Sequence, residues 1–213
     1  MGITGHRLRL CLVTDPVLCA DLGVAETVNA AVAGGVTMVQ LRDKAATTRD
    51  RVHLARAIKD ALAGTGVPIV INDDVSAAIE ADVDGVHVGQ DDTPAAEARV
   101  RLGPDKIVGL SCESVTDVER ADASILDYLG IGTVFATATK NDHKPAIGLE
   151  GLKELCARSQ LPTLAIGGIK AEHTRDIRAS GATGLAVVSA ICGQADPKAS
   201  AELFFQSGLE EAA

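Results

Sequence analysis

Eight short apolar runs, eight intervening segments of helical periodicity and a nearly aromatic-free composition together predict an α/β fold, a single (β/α)8 TIM barrel. The runs lie at residues 8–14, 38–41, 68–71, 85–88, 107–111, 128–131, 162–166 and 184–188. Each is too short for an independent helix and is rich in strand formers. Between them, apolar residues recur at spacings of three and four, at 24–33, 49–63, 75–81, 94–102, 115–123, 149–158, 171–180 and 197–207. The stretch 49–63 is the clearest, with Val52, Ala55, Ile58 and Leu62 on one face and polar residues opposite. Alternating strands and helices imply a parallel sheet, and eight units close naturally into a barrel; the alternative is an open, doubly wound sheet. Residues 1–213 are expected to form one domain, because no linker, charge run or low-complexity tract interrupts them.

Composition narrows the function classes. Hydrophobic residues make up 46% and charged residues 23%, which excludes a disordered chain. With no Trp, one Tyr and three Phe, the core falls to Val, Ile, Leu and Ala, which suits parallel strands covered by helices. A net charge of −9 repels a phosphate backbone, and so few aromatics offer little stacking surface, so nucleic-acid binding is not expected. Cys11, Cys19, Cys112, Cys156 and Cys192 are odd in number and scattered, and read as reduced thiols of a cytoplasmic protein. No segment approaches the ~20 apolar residues of a membrane span, and no sustained apolar region marks a signal peptide. Oligomeric state is not legible.

In barrels of this kind the active site gathers at the C-terminal ends of the strands, so the residues after each apolar run are read separately. After the second run, alternation puts Gln40, Arg42 and Lys44 on one side, where an amide, a guanidinium and an ammonium make an anion site. A solvated loop with an Arg–Asp pair is the plainer alternative. The third and fourth runs end in Asn72-Asp73-Asp74 and Gly89-Gln90-Asp91-Asp92, two acidic clusters on neighbouring strands. Hard oxygen ligands in that number suit Mg2+. Helix capping by Asp74 and Asp92 accounts for one carboxylate in each cluster but not for two. His87, inside the fourth run, reads as a packed strand residue. Ser111 ends the fifth run as a possible donor, and Cys112 beside it lacks a nearby His that would make it a nucleophile.

The stretch from Gly132 to Gly148 is long for a loop in a compact domain, and Thr137, Thr139 and Lys140 within it suit phosphate. Gly167-Gly168 and Val188-Ser189 follow the last two runs, where backbone amides of such barrels often cradle a phosphate. Two anion subsites are therefore expected, one basic and metal-assisted, the other a backbone cradle.

These strand-end residues carry a resemblance. VQLRDK at 39–44, INDD at 71–74, GVHVGQDD at 85–92, GLS at 109–111, TATK at 137–140, AIGGI at 165–169 and VVSAI at 187–191 occur in order over nearly the whole chain. In this the chain resembles the thiamine-phosphate synthase family. The resemblance implies Mg2+-dependent condensation of hydroxymethylpyrimidine diphosphate with hydroxyethylthiazole phosphate, giving thiamine phosphate and pyrophosphate. It implies that Gln40, Leu41, Arg42, Asp43, Lys44, Asn72, Ser111 and Lys140 hold the pyrimidine diphosphate, with Arg42, Lys44, Ser111 and Lys140 catalytic. Thr137, Thr139, Gly168, Val188 and Ser189 would hold the thiazole phosphate, and Asp73 and Asp92 the metal. It further implies a dissociative step through a pyrimidinyl-methyl cation, with no protein nucleophile. Two positions depart from the family pattern: Ala136 stands where Pro is usual, and Glu113 where many members have His. A thiazole tautomerase of the same superfamily and a non-catalytic phosphate-ligand sensor are the competing expectations, and neither needs the intact set of Gln40, Arg42, Lys44, Asp73, Asp92 and Lys140.

Overall fold

Strand β1 (Leu10–Val13) starts the barrel, followed by α1 (Val24–Ala33), β2 (Met38–Leu41), α2 (Thr48–Ala61), β3 (Ile69–Asn72), α3 (Val75–Glu80), β4 (Gly85–Val88) and α4 (Ala95–Leu102). The second half runs β5 (Ile107–Cys112), α5 (Val115–Arg120), β6 (Tyr128–Ile131), α6 (Gly148–Arg158), β7 (Thr163–Ile166), α7 (Thr174–Ala179), β8 (Gly184–Val187) and α8 (Pro197–Phe204). This is a computed structural model that describes residues 5–137 and 145–209. The strands close in sequence order, all pairs parallel, with β8 returning to β1. The closed barrel, not the open sheet, is therefore the architecture.

Each strand divides its side chains between two cores. Leu10 and Leu12 point outward into the layer beneath the helices, while Cys11 and Val13 point into the barrel. The same alternation sends Val39 and Leu41 outward and Met38 inward, and it makes every strand read as a continuous apolar run. Helix α2 buries Val52, Ala55 and Ile58 against the sheet, and Thr47 with Asp50 forms a capping box at its start. No helix among the described residues is long and apolar enough to cross a membrane.

The N-terminal rim of the barrel is tied by one device used four times. The residue just before each even-numbered strand clasps the residue at the start of the odd-numbered strand before it. Side-chain oxygens of Thr37, Asp84, Asp127 and Thr183 accept from the amides of Leu10 (3.0 Å), Ile69 (2.8 Å), Val108 (2.8 Å) and Thr163 (3.1 Å). Each clasping residue also donates its own N–H to the carbonyl of that same partner, at 2.9 Å in all four cases. These clasps satisfy strand-end amides that the ladder leaves over.

Some boundaries differ from the sequence reading. Leu8 closes a 3-10 turn (Gly5–Leu8) instead of opening β1, and its side chain plugs the bottom of the barrel. The segment 171–180 divides into a 3-10 turn (Ala171–His173) and the short α7.

Candidate active site

A cleft of roughly 1040 Å³, counted to its open mouth, occupies the end of the barrel reached by the C-termini of the strands. Of the residues singled out in the sequence, Gln40, Arg42, Asn72, Ser111, Thr137, Gly168, Val188 and Ser189 line it. Gln40 continues the inward face of β2 and is only 6% exposed. Arg42 is steadied from β1 by Thr14, whose buried hydroxyl accepts from the Arg42 amide at 2.9 Å and donates to its carbonyl at 3.2 Å. Thr14 had no place in the sequence reading, because a lone Thr before a Pro-containing turn carries no mark of a strand-to-strand clamp.

Leu41 and Asp43 stand apart from the cleft. Leu41 is fully buried in the outer core, as strand alternation requires of the residue after Gln40. The Asp43 carboxylate accepts from the amides of Ala45 (3.0 Å) and Ala46 (3.1 Å), and its carbonyl accepts two bonds from Arg51. Asp43 thus shapes the β2–α2 turn, and neither its side chain nor that of Leu41 lines the cleft. Thr139 and Lys140 lie outside the described residues.

The acidic clusters separate into structural and site carboxylates. Asp74 caps α3 through the Ala77 amide at 2.9 Å and takes further bonds from Thr48 (2.8 Å) and Arg51 (2.9 Å). Burial raises its carboxyl, but these donors outweigh burial and hold it below the usual range. Asp92 does not cap α4, whose first flanking position is Pro94; its carboxylate turns back to the Gly89 amide at 2.8 Å. That turn brings it against Asp73, whose backbone is left-handed (φ +64°). Asp tolerates this conformation better than most residues, at some cost in strain. Burial, then a hydrogen bond and charge repulsion from Asp92, push the Asp73 carboxyl up to about 7, while the charges of Lys44 and Arg42 pull the other way.

Two abutting carboxylates beside two cations are an arrangement that a hard divalent ion would relieve. Mg2+ takes one or two carboxylates and completes its shell with water and substrate phosphate, which this donor set fits. Among the described residues no group of three or more His, Cys, Asp or Glu forms a fuller cage.

The loops after β6 and β7 lie together. Val134 and Phe135 donate to the carbonyls of Ile166 (2.9 Å) and Gly167 (3.0 Å). Gly168 is left-handed (φ +62°), and a Cβ there would sit 2.8 Å from the Phe135 carbonyl oxygen and 2.7 Å from that of Ala136. Only glycine lets the two loops approach this closely, and the approach places Thr137 on the cleft wall near the β7 turn. After β8, the Val188 carbonyl accepts from Ile191 and Cys192, and the Ser189 carbonyl from Gln194, which turns the chain back at the cleft.

No cysteine lines the cleft among the described residues. Burial, reinforced by the charge of Asp117, pushes the Cys112 thiol up to about 12. Among the cleft residues that escaped the sequence reading as site members are His87 and Tyr128. Both belong to strands, His87 within β4 and Tyr128 at the start of β6, where a packed side chain is the ordinary expectation.

The fold and the site together define a (β/α)8 barrel enzyme with its cleft at the strand C-termini. The sequence profile described as thiamine monophosphate synthase matches residues 10–191. A thiamine-phosphate synthase of Psychrobacter sp. (strain PRwf-1) is 51% identical over 94% of this chain and 95% of its own. One of Vibrio campbellii is 47% identical over 92% and 96%. Among solved structures, thiamine phosphate pyrophosphorylase from Pyrococcus furiosus superposes with a TM-score of 0.85 at 32% identity, covering 95% of this chain and 96% of that one. The chain belongs to the thiamine monophosphate synthase family, and it is a transferase of thiamine biosynthesis. A 3-hexulose-6-phosphate synthase structure (TM-score 0.70, 18% identity, 94% of this chain and 99% of that one) shares the fold alone.

Proposed function

We propose that the chain condenses hydroxymethylpyrimidine diphosphate with hydroxyethylthiazole phosphate, releasing pyrophosphate, by a dissociative route. The observation that carries this reading is the meeting of Asp73 and Asp92 within the field of Arg42 and Lys44, in the turns that follow cleft-lining Asn72 and His87, with the β7 and β8 turns also lining the cleft. Gln40, Arg42, Lys44, Asn72, Ser111 and Lys140 hold the pyrimidine diphosphate. Thr137, Thr139, Gly168, Val188 and Ser189 hold the thiazole phosphate. Asp73 and Asp92 hold Mg2+, which supplies positive charge against the departing diphosphate.

The chain's own residues carry the rest. Arg42, Lys44 and Lys140 stabilise the negative charge that builds as the C–O bond to the diphosphate breaks. The pyrimidine amino group feeds electrons to the cation left behind, and the thiazole nitrogen captures it. The packed β6 and β7 loops narrow the cleft and limit water that would compete for the cation. No protein base or nucleophile is needed, in keeping with a cleft that offers no activated thiol. The cytoplasm is the compartment this soluble chemistry and the free thiols suit.

The test is direct: purified protein, both phosphorylated half-molecules and Mg2+, with mass detection of thiamine phosphate. Product that vanishes with EDTA and returns with Mg2+ supports the reading. Absence of product from folded protein that still binds the thiazole phosphate overturns it in favour of a tautomerase or a binder.

A further inference from the structure

Beneath the cleft, β4, β5 and β6 send His87, Ser111 and Tyr128 inward side by side. His87 Nδ1 lies 2.9 Å from the Tyr128 hydroxyl, and Nε2 lies 2.9 Å from Ser111 Oγ. The Gln40 side chain lies near the Tyr128 hydroxyl and favours its ionised form. His87 is 7% exposed and Tyr128 fully buried. The barrel makes room for this pair with two glycines. A Cβ on Gly109 would sit 2.3 Å from Tyr128 Cζ and 2.6 Å from His87 Nδ1, and one on Gly130 would sit 3.0 Å from His87 Cε1. The result is a hydrogen-bonded chain from Tyr128 through His87 to Ser111, with Gln40 beside its Tyr128 end, and Gln40 and Ser111 both face the cleft.

Such a chain has a direction. A neutral imidazole has one donor and one acceptor nitrogen, and a phenol has one proton to give. If Ser111 gives its proton to His87, it faces the cleft only as an acceptor. If His87 gives its Nε2–H to Ser111, the serine proton is free for the ligand. A phosphorylated ligand offers acceptors, so only the second direction suits the cleft. It requires His87 Nδ1 to accept from Tyr128, and Tyr128 to accept from the Gln40 amide N–H. The Gln40 carbonyl oxygen is then turned toward the cleft, ready for an amino group.

We infer that His87, locked as the Nε2–H tautomer by Tyr128, is a positioning residue that makes Ser111 a hydrogen-bond donor to the diphosphate-bearing substrate and Gln40 an acceptor. This rests on the proposed substrate assignment, because the phosphorylated ligand selects the direction of the chain; the tautomer itself is read without substrate. His87 and Tyr128 touch no reacting atom in this account; they set the polarity of the two residues that do.

The experiment combines a structural and a kinetic readout. In histidine-labelled wild-type protein in mildly alkaline buffer, long-range proton–nitrogen correlation identifies the His87 tautomer, with Nε2–H expected. His87→Gln keeps an amide donor at the Nε2 place, whereas His87→Asn offers none that reaches Ser111. Losing one donor to an anionic ligand corresponds to roughly 10- to 100-fold. His87→Asn is therefore expected to lower kcat by about that factor, with KM for the thiazole phosphate unchanged and His87→Gln recovering most of the loss. Should His87→Asn fail to fold, Tyr128→Phe keeps the ring and removes the anchor, and is expected to mix the two tautomers and lower kcat. An Nδ1–H tautomer in the wild type overturns the inference, as do equal losses from Gln and Asn. Wild-type protein that forms no thiamine phosphate while His87 is Nε2–H defeats the substrate reading and leaves the relay standing; product formation with an Nδ1–H tautomer defeats the relay alone.

Discussion

Asp73 and Asp92, from turns after adjacent strands, present their carboxyl groups to each other at hydrogen-bonding range, one on a left-handed backbone and the other bent back onto the Gly89 amide. The arrangement carries backbone strain and charge repulsion, both of which a bound divalent cation would offset. Asp92→Asn leaves the Gly89 contact in place and removes one charge. Turnover should fall about 100-fold or more, in the range seen when a charge-stabilising group is lost. Affinity for the thiazole phosphate, measured by calorimetry, should stay unchanged. Equal losses in both would contradict a metal role confined to the diphosphate.

Ser189 follows β8 and lines the cleft near Gly168, in the wall assigned to the thiazole phosphate. Ser189→Asp places a carboxylate against that phosphate. Juxtaposed like charges cost several kcal/mol, so affinity should fall by about 100-fold or more. Binding of the pyrimidine diphosphate in the presence of Mg2+ should change little. Unaltered thiazole-phosphate affinity in a titration would move the cradle elsewhere.

Much of this site was legible because strand alternation and the barrel rule tell a reader where to look. Gln40, Arg42 and Asn72 fall at strand ends, and their side chains converge because the strands are parallel and in register. Leu41 and Asp43 were drawn in with their neighbours by the contiguous motif, yet a strand that shows Gln40 to the cleft must hide Leu41. Asp74 and Asp92 look alike in sequence, each a turn residue before a helix. Only the fold reveals that Asp74 is occupied by Ala77, Thr48 and Arg51 while Asp92 meets Asp73. The His87–Tyr128 contact joins residues on strands that are not neighbours, across Gly109, and no periodicity announces it. The rim clasps were invisible for a similar reason: Thr37, Asp84, Asp127 and Thr183 read as turn residues, and their partners lie 15 to 27 positions away.

Gly109 stands on β5 between the inward side chains of His87 and Tyr128. Gly109→Ala forces a methyl into the space of the Tyr128 ring and the His87 imidazole. Overpacking of this kind costs about 1–3 kcal/mol, read as a lower denaturation midpoint. Pairing it with Tyr128→Leu should cost clearly less than the sum of the two single changes, because the smaller side chain vacates the contested space. Additive losses would show that the clash lies elsewhere.

The rim clasps lie at the opposite end from the cleft, where this fold keeps stability apart from catalysis. Asp127 is the most heavily used of them. Its Oδ2 accepts from the Val108 amide at 2.8 Å and from Arg99 at 2.6 Å, with both side chains of the ion pair largely buried. Asp127→Ala orphans the amide and leaves the guanidinium without its counter-charge, at a cost of about 3–5 kcal/mol. Thr183→Val removes only a neutral acceptor from the Thr163 amide and should cost about 1–3 kcal/mol. Urea titration should therefore rank Asp127→Ala well below Thr183→Val, while kcat and both KM values stay at wild-type levels wherever the proteins are folded. A fall in kcat for folded Asp127→Ala would mean that the rim reaches the cleft through the β5–β6 pair, and that stability and catalysis are not separated in this barrel.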